Sequence, residues 1–310
     1  MRRKIGVVLG ILGVMALIFG VVWMTVIWPG LAKIPAGLEQ QVDLQGTLSL
    51  FSEEHGSMTH DISGHRKYTA LSATDDVIYL QEDIWFEIAG TDQEIMRQQF
   101  HLGIDRVTRQ NVEGLGDGIG GGHYNFPFDV KKDQAYPFWN EGNPENIEAV
   151  FVEETDFQGL HVYVFEMTTP EGGLTAPGGF DTPAMTIEQT IRIWVEPITG
   201  MPVRITDRTK RTGQIPVPDP DFPSTAPFTY QTVTFYEDDL TFTDETVAGL
   251  VDDANAAKTQ VTLAKKLVPW LSIGSGALLV LVGVFLAIKP GKAAAAPPKP
   301  QAAAPQPEQK

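Results

Sequence analysis

The chain has 310 residues, no cysteine, 23 Lys and Arg against 39 Asp and Glu, and a formal net charge of −16. That balance disfavours nucleic acid and anionic lipid surfaces as partners, since both carry the same sign. The lack of thiols removes disulfides, thiolate metal sites and a cysteine nucleophile, so the folded part must be held by its own core.

Arg2, Arg3 and Lys4 open the chain, and Ile5 to Ala32 follows without a charge. As a helix, Ile5–Trp28 would be on the order of 36 Å long at roughly 1.5 Å per residue, enough to cross a hydrocarbon core of about 30 Å with some tilt. A basic lead-in before an apolar run is also the pattern of a secretory signal. This run is longer than a usual signal core, however, and Pro29-Gly30-Leu31-Ala32-Lys33 offers no small-x-small cleavage site, which favours an uncleaved anchor. The expectation is a cytoplasmic basic end at 1–4 and a first transmembrane helix at 5–28.

Leu267 to Ile288 is a second uncharged run and predicts a second transmembrane helix at 267–288. Trp23, Trp28 and Trp270 lie near the ends, where interfacial indoles are expected. Arg2, Arg3 and Lys4 before the first span, with Lys289, Lys292 and Lys299 after the second, place both termini in the cytoplasm; Lys33, Lys265 and Lys266 on the other side weigh against this. Gly6 with Gly10, Ala16 with Gly20, and Ser272 with Gly276 are small-x-x-x-small pairs, which predict that the spans pack together or self-associate. Thr25, Ser272 and Ser275 are too few to line an aqueous pore.

Residues 29–266 hold 16 of the Lys and Arg and 38 of the Asp and Glu. Apolar residues there recur mostly with period two, as in Ile78, Leu80, Ile84, Phe86 and Ile88 against Tyr79, Gln81, Asp83, Trp85 and Glu87. Met185 to Val195 repeats the pattern, and 41–51, 58–71, 95–104, 147–155, 160–168, 201–208 and 228–236 read as further strands. Asp156-Phe157-Gln158-Gly159 and Ile198-Thr199-Gly200 join neighbours tightly. The fold class expected is mainly β, an antiparallel sheet or half-barrel forming an extracytoplasmic domain at 29–243 between the two spans. Pro170–Gly179 and Gly213–Pro227 read as loops. From Asp244, which can cap, Val247, Leu250, Val251 and Ala254 share a face, giving a juxtamembrane helix at 244–266. The Ala/Pro-rich tail at 289–310 reads as disordered and cytoplasmic.

The densest chemistry is aromatic: Tyr124, Phe126, Phe128, Tyr136, Phe138 and Trp139 fall within 123–140, with Lys131-Lys132-Asp133 between them. One reading buries these rings against the sheet, with the charged step as an exposed tip. The other makes them a groove for an apolar ligand, in which Trp139, Phe138 and Tyr124 enclose acyl chains. Gly114 to Gly122 lacks the helix that a dinucleotide fingerprint requires and reads as a flexible loop. His55, His60 and His65 match no compact ligand spacing, the acidic clusters match no calcium loop, and no nucleophile or metalloprotease motif occurs. The expectation is a protein without catalysis, cofactor or metal.

"DRVTRQ" (105–110), "FPFDVKKDQAYPFWN" (126–140), "FVEETDFQGLHVYVFE" (151–166) and "IWVEPITGMPVRI" (193–205) resemble the PorA-like porin family of actinobacteria. The likeness takes in the leading anchor, the Leu31–Leu38 junction and the closing span. "IWVEPITGMPVRI" also resembles a hairpin of LolA-like half-barrel lipoprotein carriers. The first resemblance implies a porin, yet two strongly apolar helices would hold the chain in the first membrane it meets, unlike an outer-membrane barrel. The function expected is therefore a membrane-anchored envelope protein that binds a lipid or other apolar ligand, or organises the envelope. The alternative is a porin-like channel subunit. The partners expected are cytoplasmic membrane lipids, an apolar ligand and a second copy paired through the spans, with no nucleic acid.

Overall fold

The computed structural model describes residues 2–176, 184–218 and 228–288, so the tail expected to be disordered lies outside the described residues. The chain divides into two compact units, Met1–Thr25 with Leu267–Lys310, and Val26–Lys266. The described helices are α1 (Arg2–Val22), α2 (Trp28–Leu31), α3 (Asp244–Thr262) and α4 (Val268–Ala287). Five-residue π-helical turns, Trp23–Ile27 and Leu263–Leu267, precede α2 and α4. Each turn has a local cause. Pro29 and Pro269 stand at the second position of the helix that follows, lack an N–H, and would collide with the carbonyl four residues back, at Thr25 and Lys265 inside the π turns.

In the first unit α1 and α4 run antiparallel along a seam of glycines spaced by seven. A Cβ on Gly6 would meet the carbonyl oxygen of Gly283 at 2.6 Å, and one on Gly13 the carbonyl oxygen of Gly276 at 2.6 Å, while one on Gly20 would meet Ile273. A seven-residue repeat keeps one side of each helix on the seam, and small residues let the backbones approach. Of the small residues singled out in the sequence, Gly6, Gly10, Gly20 and Gly276 lie on this seam and Ser272 beside it; Gly13 and Gly283 complete it. The other faces carry exposed Ile11, Met15, Ile18, Leu281 and Phe285. Both helical stretches, Arg2–Leu31 and Asp244–Ala287, are long and apolar enough to cross a membrane.

The second unit is built on one twelve-stranded antiparallel sheet: β1 (Glu39–Ser52), β2 (Gly56–Ala73), β3 (Val77–Ile88), β4 (Glu94–Asp105), β5 (Asn111–Gly116), β6 (Tyr136–Phe138), β7 (Ile147–Phe157), β8 (Leu160–Thr168), β9 (Leu174–Ala176), β10 (Met185–Glu196), β11 (Met201–Pro218) and β12 (Phe228–Phe242). The order is β5-β4-β3-β2-β1-β12-β11-β10-β8-β7-β6, with β9 beside β10. The β7–β8 turn places Gln158 and Gly159 at φ 48° and 81°, the left-handed pair that a two-residue hairpin requires. One face is apolar: Ile78, Leu80, Ile84 and Phe86 of β3 are buried with Ile187, Ile191, Ile193 and Val195 of β10. Between them, Glu188 and Arg192 are exposed and Gln81, Asp83 and Glu87 half-buried. An apolar interior with a polar exterior suits water outside and inverts the pattern of a lipid-facing barrel.

Helix α3 covers part of that apolar face, burying Val247, Leu250, Val251 and Ala254 in a core with Leu44, Leu48, Ile62, Phe86 and Phe242. Its cap is Thr243 rather than the expected Asp244; the threonine hydroxyl accepts from Thr246 N at 3.2 Å. Three loop expectations are corrected. Gly213–Pro218 continues β11, because its backbone pairs with Phe228–Val233. Leu174–Ala176 forms β9 on β10. Asn111–Gly116, in and before the glycine stretch, is β5, paired to β4 at Leu102 and Ile104. Residues 170–173 form the expected turn, with Gly173 N donating to Pro170 O at 2.8 Å, and residues 177–179 and 219–227 lie outside the described residues.

The sheet is open but its two edges meet at one point. His123 bridges to Gln110, just before β5, and to Phe138 of β6. Its N–H donates to Pro137 O at 2.6 Å, its carbonyl accepts from Trp139 N at 3.1 Å, and Tyr124 N donates to Arg109 O at 2.9 Å. Edges that meet require the open sheet to curl.

Gly13→Val should lower the stability of the detergent-solubilised protein by about 1–3 kcal/mol, the usual cost of overpacking a close contact. Gly274→Val, where an added Cβ meets nothing within 4 Å, should leave the unfolding midpoint nearly unchanged. Equal midpoints for the two variants would refute the seam.

Candidate functional site

The curled sheet and α3 enclose a cavity of about 720 Å³. Val42, Leu80, Met167, Ile191, Ile193, Met201, Ile205 and Phe242 supply its sheet wall, and Leu250, Ala257 and Val261 its helical wall. Trp28 and Leu31, at the end of the first apolar run, Ile34 and Leu38, which follow it, and Ala264, which precedes the second, add to the lining. A volume of this size lies within the range of small-molecule sites, which are mostly apolar with a few placed polar groups.

The six aromatic residues singled out in the sequence divide between core and cavity. Phe126, Tyr136 and Phe138 are buried in a cluster with Phe165; the Phe126 ring lies 4.6 Å from that of Phe138 and 4.7 Å from that of Phe165. The Tyr136 hydroxyl accepts from Lys131 N at 2.8 Å, and this residue does not reach the cavity. Tyr124, Phe126, Phe128, Phe138 and Trp139 line it. Trp139 packs at an edge on Phe100 at 5.8 Å, Tyr124 on Tyr68 at 5.6 Å, and Phe128 on Trp28 at 6.1 Å. Lys131, Lys132 and Asp133 form the exposed tip.

Polar groups gather at two places on this interior. At the first, Arg66 of β2 donates from Nε to Glu82 Oε1 at 2.9 Å and from Nη2 to Glu141 Oε1 at 2.5 Å. Glu82 has no exposed surface, and its Oε2 has no hydrogen-bond partner among the described residues. Burial pushes its carboxyl up to about 7, against the opposing pull of Arg66. Burial works against the Arg66 charge too, yet Glu141 and Glu82 hold it well above its ordinary range. Beside them Asn140 Nδ2 and Asn143 Nδ2 each donate to Gln189 Oε1 at 2.9 Å, and Gln189 Nε2 donates to Thr209 Oγ1 at 2.8 Å and Asp207 Oδ1 at 3.2 Å. Thr209 N donates to Asp238 Oδ1 at 2.9 Å, and the Tyr236 hydroxyl donates to Asp238 Oδ2. Burial raises Asp207 to about 6 and, with the Asp207 charge adding to it, Asp238 to about 7.

The second place is Arg109, buried beneath Phe128. Its Nη1 donates to Phe126 O at 2.5 Å and Thr199 O at 3.0 Å, and its guanidinium lies 4.4 Å from the Phe128 ring centre. Nearby, Glu196 accepts from Thr199 N and Thr199 Oγ1, each at 2.8 Å, and faces Lys258 of α3 at 3.8 Å. Asp129 pairs with Lys265.

None of these charged residues emerged as candidates from the sequence, although parity carried a signal. Glu82 shares a face with Leu80 and Ile84, Gln189 with Ile187 and Ile191, and Asp207 with Ile205 and Thr209. A polar residue on the apolar parity of a strand must be bonded inside or serve a site. Glu141, on a turn, carried no such signal. Among the described residues no group of three or more His, Asp or Glu side chains could hold a metal ion.

Fold and site together define a class: an open, water-facing antiparallel sheet enclosing an apolar cavity, on a chain with two helices able to cross a membrane. The sequence model of the family described as porin PorA matches residues 5–285, and the chain belongs to that family. Among solved structures, a DUF1329 family protein from Desulfovibrio piger ATCC 29098 is 11% identical, with 75% of this chain and 90% of that chain covered at a TM-score of 0.19, a likeness that carries no argument. No curated protein matches.

Arg66→Met should destabilise the sheet unit by about 3–5 kcal/mol, since it strands Glu82 and Glu141 inside without a counter-charge. Adding Glu82→Gln should restore part of the loss, measured by denaturant unfolding of both variants. The pH dependence has a defined sign. Glu82, Asp207 and Asp238 have folded pKa values of about 7, 6 and 7 against an unfolded value near 4, so the folded state binds more protons between these limits. Their stability contribution is complete below about pH 4 and is lost as pH rises through about 6–7. His123, held below its ordinary value by burial, works in the opposite direction, but it is one group against three. The unfolding midpoint should therefore be higher at pH 5 than at pH 8, and Asp238→Asn should flatten the difference; a midpoint rising with pH would contradict the buried carboxyls.

Proposed function

We propose that this protein is a membrane-anchored carrier of the cell envelope that holds an amphiphile in its cavity without catalysis. In this reading the two spans cross the cytoplasmic membrane with both termini inside, and the sheet lies on the outer side. The single observation that carries it is the lining of the apolar cavity by Trp28 and Leu31, which stand at the end of the first apolar run, and by Ala264, a few residues before the second. A site so tethered is placed to take an apolar ligand from a bilayer, where the alternative is a costly passage through water. The polar exterior of the sheet supports a body in water rather than in lipid. The family description names a porin, and a channel through assembled helices is the competing reading. The scarcity of polar residues in the spans speaks against it.

Native mass spectrometry and solvent extraction of the detergent-purified protein should find an amphiphile at near one per chain. Ala257→Trp, which fills the cavity from α3, should reduce it several-fold. Repeated preparations without a bound amphiphile, together with discrete conductance steps in planar bilayers, would overturn the carrier in favour of the channel.

A further inference from the structure

The amphiphile's head is legible in how differently the two arginines of the cavity wall are compensated. Arg66 is held by two carboxylates. Arg109 is 9% exposed and has no carboxylate within 4.0 Å among the described residues. Two acids of the adjoining segments are engaged elsewhere, Glu196 with its own hairpin and Lys258, and Asp129 with Lys265. Burial without a counter-charge brings Arg109 down to about 10, which leaves it a cation at neutral pH. A desolvated, unpaired charge is among the costlier things a fold can carry.

Its bonding is one-sided. Nη1 serves the carbonyls of Phe126 and Thr199, whereas Nε and Nη2, the two donors of the other edge, have no partner among the described residues. That edge is the fork that grips a carboxylate or phosphate through two parallel hydrogen bonds. The backbone adds to the case: Arg109 sits at φ 63°, a left-handed conformation uncommon outside glycine, in a turn whose Arg109 N donates to Asp105 O at 2.9 Å. Strained backbone that aims a side chain tends to mark function.

Resting on the carrier reading above, we propose that Arg109 binds the anionic head, a carboxylate or a phosphate, of an amphiphile whose chain lies among Phe128, Phe138, Trp139 and Ile193. Anionic chains then outcompete neutral and cationic chains of equal length.

The test uses the full chain in a non-ionic amphipol, with N-phenyl-1-naphthylamine as a fluorescent occupant of the cavity. Dodecanoate and dodecyl phosphate should displace the dye at concentrations at least tenfold below dodecyl maltoside or dodecyltrimethylammonium, and their relative strength distinguishes carboxylate from phosphate. Arg109→Gln should bring all four to within about twofold, and Arg109→Lys should keep only part of the preference. If the neutral or cationic probe competes as well as the anionic ones, or if Arg109→Gln keeps the preference, the head-group assignment is wrong while the carrier stands. Should Arg109→Gln fail to bind the dye, the wild-type ranking alone decides. Inorganic phosphate should displace nothing; if it matches dodecyl phosphate, the Arg109 site stands and the carrier fails. If no probe displaces the dye, both fall.

Discussion

A twelve-stranded sheet curled around a space that its own side chains do not fill is the constraint from which the other features follow. An open sheet of this width has two edges to satisfy, and an apolar face too broad to leave in water. The chain meets the first demand at one point, where His123 links the approach to β5 with β6. It meets the second by laying α3 across the apolar face and by packing the aromatic segment 124–139 inside the curl. The cavity is what these covers leave open. The rings of that segment are therefore both core and wall, and Phe126 and Phe138 serve in both roles.

How much of this could be read from the sequence depended on the range of the interaction. Period-two runs along β3 and β10 are local, and they reported both the strands and their buried face. The turns at Asp156–Gly159 and Ile198–Gly200 are local as well and fixed neighbouring pairs. Closure at His123 is not local, since it joins residues 110, 123 and 138 through backbone bonds that any residue type could make. For the same reason β5 and Gly213–Pro218 read as loops: glycine and proline lower strand propensity, and pairing with β4 and β12 overrides it. The aromatic cluster announced itself by composition. Its division between packing and lining depended on which strands curl to meet it, and no spacing records that.

The helices show the same contrast. Length and lack of charge identified both spans, and the small-residue pairs pointed to close packing. The interface follows the seven-residue recurrence of Gly6, Gly13 and Gly20 facing Gly276 and Gly283, and Gly6 and Gly10, four residues apart, both lie against Gly283. The π turns before Pro29 and Pro269 share a cause legible in the sequence, because a proline one turn into a helix displaces the carbonyl four residues earlier. Both lie where an apolar run meets the body of the chain, so the cavity residues Trp28 and Ala264 sit in or beside irregular helix.

The interior charges remain to be reconciled with an apolar cavity. Arg66 has Glu82 and Glu141 within hydrogen-bonding distance, and beside this set Gln189, Asp207, Thr209 and Asp238 share bonds of their own. A network of this kind fixes the strands to one another, for any slip of register would leave several groups unpaired at once. Arg109 differs in kind, because carbonyl oxygens and one ring face meet part of its need and leave a donor edge unused. Interior charge that meets an opposite charge specifies structure, whereas interior charge without one beside an open space specifies what the space receives. On that distinction the Arg66 network belongs to the scaffold and Arg109 to the site.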